Sequence, residues 1–260
     1  MFAFLKTLLS YRDLLLMWTL REIKVRYKQS ILGGAWAVLQ PLSLTLVFTV
    51  VFSYLVRVPS DGIPYPIFAY SAVLPWTLLA TSISFAVPSL VNNSSLVTKI
   101  YFPREIIPLA SIGAAIIDFL VAALIFIGMM ILFRIPPTSS LIWLLPLLLI
   151  QIALMIGVSL LASAINVFYR DIRLVVPLAL QIWMYASPVI YPVSVVPESL
   201  RLLYMLNPMA GLITSYRRVI LEYQPPLAMD LLVAAAVSLL LCVLGYSYFK
   251  RWEPGFADVV

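Results

Sequence analysis

Histidine is absent from this 260-residue chain, and cysteine occurs once, at Cys242. The first absence removes imidazole acid–base catalysis and histidine-based metal sites. The second removes any disulfide within the chain, and Cys242, inside an apolar run, reads as a small buried hydrophobe. Charge is scarce as well: 11% of residues are Asp, Glu, Lys or Arg, against roughly a quarter in a globular chain. None of the nine glycines belongs to a GxxxxGK[ST] loop, so P-loop nucleotide hydrolysis is excluded for this chain. Residues 1–30 lack the compact apolar core and small-residue cleavage site of a signal peptide.

What the chain does have is apolar surface. Hydrophobic residues make up 63% and mean hydropathy is +1.05, so there is too little polar side chain to cover a water-facing surface. Crossing a hydrocarbon core of about 30 Å takes about 20 apolar residues. Charge-free runs of that kind predict spans at 31–56, 67–91, 107–133, 141–167, 174–196 and 227–249. Backbone in lipid must satisfy its own hydrogen bonds, and the period-two alternation of a membrane barrel is missing, so the spans are helices. The expected fold is all-α and polytopic: residues 1–30 as a separate amphipathic helix, then six transmembrane helices within 31–260. No internal repeat is visible.

Six spans put both termini on one side. The loops there, 1–30, 92–106, 168–173 and 250–260, carry twelve of the 17 basic residues, and the opposite loops carry five. The positive-inside bias places both termini in the cytoplasm. The net charge of +6 is therefore an orientation signal and no argument for nucleic acid. The stretch "NVFYRDIR", with Arg170 and Asp171, is a cytoplasmic stop between two apolar runs.

Two segments fit neither span nor simple loop. Within 1–30, Leu16, Leu20, Ile23 and Tyr27 fall on one helical face, with Arg21, Lys24 and Lys28 on another. With Trp18, this is the pattern of a helix lying in the membrane interface, anchoring the first span or shaping an entrance for an amphipathic substrate. Residues 197–226 are bounded by proline and broken at Asn207-Pro208 and Gly211. They read as a helical break-and-return at the outer surface.

Candidate chemistry is thin. Asp118 is the clear ionisable group at membrane depth, either a hydrogen bond between helices or a lone proton-coupling acid without a basic partner. Trp76, Trp183 and Tyr185 are belt residues at the interfaces or aromatic faces along a sugar path. The loop "NNSSLVTKIYFPREIIP" (92–108) sets Lys99, Tyr101, Phe102, Arg104 and Glu105 between polar residues. It is longer than a turn requires, so it is a docking surface for a soluble partner or a membrane-surface anchor.

The order "LREIKVRYKQSILGGAWAVLQPL", "FPRE", "NVFYRDIR", "SPVIYP", "NPM" closely resembles the permease subunit of type-two ATP-binding-cassette exporters. Within these it is similar to the polysaccharide branch, which exports lipid-linked O-antigen, capsule or teichoic acid chains across the inner membrane. The resemblance covers essentially all 260 residues. It implies a homodimer with two separate ATPase subunits, which would hold the ATP and Mg, so this chain needs no cofactor. It implies a coupling loop at Lys99, Tyr101, Phe102, Arg104 and Glu105, and an interface helix carrying Trp18, Arg21, Lys24 and Arg26. It further implies re-entrant helices at 197–226 and channel-lining aromatics at Trp76, Phe85, Trp183 and Tyr185, with Arg170 and Asp171 holding the second cytoplasmic loop. The rival readings are an integral-membrane glycosyl or acyl transferase and a proton-coupled carrier using Asp118. The first would need paired acids or a histidine at one membrane face.

Overall fold

Proline and polar turns cut the apolar runs into helices. A computed structural model of the chain describes residues 7, 9–28, 30–99 and 102–259, and among these no strand occurs. The helices are α1 (Arg12–Tyr27), α2 (Trp36–Phe48), α3 (Tyr65–Asn92), α4 (Ser94–Lys99), α5 (Ile106–Leu132) and α6 (Leu144–Phe168). They continue as α7 (Ile172–Tyr185), α8 (Glu198–Met205), α9 (Pro208–Ile220), α10 (Ala228–Trp252) and α11 (Phe256–Val259). A π-helical stretch, Thr49–Leu55, prolongs α2.

Five segments are long and apolar enough to cross a membrane: Gly33–Leu55, Tyr65–Asn92, Ile106–Leu132, Ser139–Phe168 and Ala228–Val259. The expected fifth span, 174–196, holds a shorter helix than its apolar run implies. Its helix stops at Tyr185 after 14 residues, about 21 Å of rise, and the chain then turns through Pro188 and Pro192. Residues 197–226 form two short helices, α8 and α9, of 8 and 13 residues. At about 12 and 20 Å, neither reaches across a bilayer. The break falls at Asn207, whose side chain caps α9 by accepting from the Met209 backbone N–H at 3.1 Å. Pro208 fits the first turn because its missing N–H would have no helical partner there.

α3 is the central post. Ile67, Phe68, Ala69, Tyr70, Ala72 and Val73 on it are fully enclosed, and α2, α5, α6, α7 and α9 pack around it. By contrast α5 leaves Leu120, Leu124, Ile127 and Ile131 exposed, a stripe of spacing four, three and four that suits lipid. Apolar surface gains little by leaving lipid for protein, so helix contact inside a membrane rests on close packing and polar links. Both are present. Gln151 on α6 donates to the Pro75 carbonyl at 2.7 Å and accepts from the Tyr216 hydroxyl at 3.0 Å. Asn166 donates to the Val87 carbonyl, next to Pro88, at 3.1 Å.

The molecule has two ends. At the proximal end, Val97, Phe249 and Phe256 share an apolar cluster with Leu90, Leu160 and Val167. The first inter-span loop, the end of α6 and the C-terminal segment therefore meet, and α1 joins them where Trp18 stacks on Phe102. At the distal end the turn after α7 packs against α3 and α9.

Candidate functional site

At the proximal end the loop after α3 folds into α4 and then enters α5 at Glu105. That carboxylate is fully buried, and its Oε2 accepts from Lys250 Nζ at 2.8 Å. Lys250 also reaches Glu253 at 2.9 Å. Glu253 in turn accepts from the Arg104 backbone N–H at 3.0 Å, while the Arg104 guanidinium donates to the Glu253 carbonyl. A buried carboxylate is tolerable only when paired, so the start of α5 is locked to the end of α10.

Arg104 and Glu105, expected to present themselves to a partner, thus face their own chain and hold the loop from beneath. Lys99 stands exposed at the end of α4, Phe102 is half-buried against Trp18, and Tyr101 lies outside the described residues. Arg170 and Asp171 are exposed at the neighbouring turn. Lys250 and Glu253 were missed by sequence reasoning. Their signal was an i,i+3 Lys–Glu pair just past the last apolar run.

α1 packs along α5 rather than standing apart. Thr19 lies where a side chain on Gly113 would sit, with its Oγ1 2.7 Å from that position. The packed stripe runs through Leu15, Trp18, Thr19 and Ile23, so the expected apolar face is offset: Leu16 and Leu20 point away and are exposed. Arg21 donates to Asn93 at 3.0 Å and covers the Trp18 ring at 4.5 Å, whereas Lys24 is exposed.

Further along α1, the Arg26 guanidinium bonds Asp118 Oδ2 and the Tyr27 hydroxyl donates to Oδ1 at 2.7 Å. Asp118 therefore has a basic partner, and of its two readings the hydrogen bond between helices is the one present. Burial, reinforced by the Asp118 bond, pushes the Tyr27 phenol up to about 12, so it remains a donor. Arg26 also lies over Phe85, 3.9 Å from the ring centre.

The four aromatics assigned to a channel do not converge within one chain. Trp76 is buried and meets Trp183 edge to face at 6.0 Å, and Trp183 donates to Asn207 at 2.8 Å. Phe85 sits under Arg26, about 13 Å along α3 from Trp76. Tyr185 is exposed at the distal turn. There Trp183, Tyr191, Leu203, Tyr204 and Asn207 border a mostly apolar hollow of about 670 Å³.

Arg217, on α9, was noted only as a charge of the opposite side. It is buried and donates to the carbonyls of Pro188 at 2.5 Å, Val189 at 2.8 Å and Tyr191 at 3.2 Å. Its guanidinium lies 3.6 Å over the Phe68 ring.

Among the described residues no group of three or more Cys, Asp or Glu could hold a metal ion. Apolar helices around a central post, with paired charges at their ends, define a multi-pass membrane protein. The ABC-2 type transporter family matches residues 14–221, and the chain belongs to that family. It is 31% identical over its whole length, and over all of the relative, to the O-antigen export system permease protein RfbA of Myxococcus xanthus. It is 30% identical over 95% of both chains to the protein of the same name from Klebsiella pneumoniae. The polysialic acid transport protein KpsM of Escherichia coli matches at 22% over 90% of this chain and 91% of that protein.

Proposed function

We propose that this chain is the transmembrane subunit of an ATP-driven exporter that moves a lipid-linked, O-antigen-like polysaccharide across the inner membrane. It works as a homodimer, with ATP hydrolysed by two partner subunits docked at the proximal end, which faces the cytoplasm. The observation that carries this reading is the end-to-end similarity to permeases named for O-antigen export, covering all of this chain and all of the Myxococcus xanthus relative.

The proximal architecture supports it. An exposed α4 with Lys99 at its end is backed by a buried ion-pair lock that joins two spans. Movement imposed on α4 by a partner would pass to α5 and α10 together. The transferase reading finds its two neighbouring acids at the proximal face, Glu105 and Glu253, both engaged by Lys250 and so not free for catalysis. The carrier reading rests on Asp118, and both of its carboxylate oxygens are engaged.

Co-expression with a cognate ATPase of this transporter family in a strain lacking its own permease tests the proposal. The expected result is a stable complex of two permease and two ATPase subunits and restored surface polysaccharide. Export by the chain without an ATPase, or glycosyl transfer by the purified chain, would overturn it.

A further inference from the structure

We infer that the cleft between α1, α2, α3 and α5 is a binding site for one uncharged sugar ring of an amphiphile held in the membrane. The cleft measures about 230 Å³ and is bordered by Arg26, Tyr27, Trp36, Gln40, Thr81 and Asp118. Asp118 lies twelve residues into α5, about 18 Å from its start, inside a segment apolar enough to cross a membrane. Polar groups at that depth need a reason.

The ion pair with Asp118 is only part of that reason. The Arg26 side chain is 10% exposed, yet its Nε and Nη2 are enclosed without a hydrogen-bond partner. Arg26 borders the cleft, and a small turn of its side chain would bring that unpaired donor edge to an acceptor that enters.

The charges discriminate between ligands. A phosphate would bring a second negative charge beside the Asp118 carboxylate, in a medium where like charges repel strongly. A sugar ring carries none. Its hydroxyls both accept, from Arg26 and the Gln40 amide, and donate, to the remaining lone pairs of Asp118 and to Thr81. Trp36 offers an aromatic wall to its C–H face. The volume equals roughly eight waters, the scale of one ring.

This inference deepens the export reading: the occupant is the sugar nearest the lipid of a lipid-linked glycan. Binding is measured on this chain alone, so it stands or falls separately from export.

The experiment uses the purified chain in nanodiscs and a photoreactive octyl β-glucoside at low concentration, with the labelled peptides mapped by mass spectrometry. Labelling concentrated on the start of α2 and on α3 around Thr81, displaced by excess octyl glucoside and not by octyl phosphate, is the expected result. Thr81→Val and Gln40→Leu, which keep the helices packed, each reduce that labelling about fivefold, the effect of one neutral hydrogen bond. A thermal midpoint like that of the unaltered chain confirms that the variants are folded. Uniform labelling of the lipid-facing surface, or variants that label normally, would overturn the site. Octyl phosphate displacing the probe as well as the glucoside would overturn the sugar assignment in favour of an anion.

Discussion

Gly157 and Gly245 meet backbone to backbone where α6 crosses α10: a Cβ on Gly245 would stand 2.1 Å from the Gly157 carbonyl oxygen. The reverse is as tight, since a Cβ on Gly157 would lie 2.4 Å from the Leu241 carbonyl carbon. Backbone cannot step aside as a flexible side chain can. Gly245→Ala therefore forces the two helices apart and costs about 1–3 kcal/mol, the range for overpacking. Gly128→Ala is the control, since nothing lies within 4 Å of its added methyl; it should be neutral or slightly stabilising. Thermal unfolding in detergent, followed by fluorescence-detected size exclusion, separates the two. Equal midpoints would refute the crossing.

Arg217 has no carboxylate within its hydrogen-bonding shell and relies on backbone carbonyls at the turn after α7, with the Phe68 ring against one face. The planar guanidinium fork is what lets one side chain serve several carbonyls, and an ammonium cannot reproduce it. Arg217→Lys should destabilise by about 2 kcal/mol and Arg217→Ala by about 3 kcal/mol. Both should raise protease cleavage within 186–196. Loss of stability without new cleavage there would mean that Arg217 does not secure this turn.

Hydropathy located the main spans to within a few residues because a charge at a membrane boundary is costly wherever the chain goes next. α3 occupies 65–92 against the expected 67–91, and α5 occupies 106–132 against 107–133. The end of α7 was not legible. Residues 174–196 stay apolar across the point where the helix stops, and the carbonyls freed there are taken by Asn207 and Arg217, side chains more than fifteen positions later. Which part of α1 packs on protein was not legible for a related reason: lipid and protein both accept apolar side chains, so periodicity alone cannot tell which one Leu16 and Leu20 meet. The Arg26–Asp118 and Lys250–Glu105 pairs join residues 92 and 145 positions apart, a distance over which no local pattern operates. The roles of the coupling and channel residues came from resemblance, and the geometry adds which of them face inward.

Lys250 keeps Glu105 from being a buried, unpaired charge. Lys250→Met should cost about 3–5 kcal/mol, because the carboxylate stays at 0% exposure without its cation. Adding Glu105→Gln should recover much of the loss, since a neutral amide no longer needs the partner. Midpoints of the two single variants and the double variant close a mutant cycle. Additive losses would show that the pair does not couple α5 to α10.

Lys99 offers the cleanest test of docking at α4, because it is exposed and its replacement leaves the lock at Glu105 intact. Reversing a rim charge weakens association through the partner's field while leaving the fold alone. Lys99→Glu should lower recovery of the ATPase with the permease, and polysaccharide export in cells, by about fivefold to tenfold, the effect of about 1 kcal/mol. The thermal midpoint of the isolated permease should not move. Glu105→Lys would behave differently, because it places two cations together in a closed site and so lowers the midpoint along with export. If Lys99→Glu exported normally and held its ATPase at wild-type yield, the partner would have to dock elsewhere on the proximal end, with the exposed turn at Arg170 and Asp171 as the next surface to reverse.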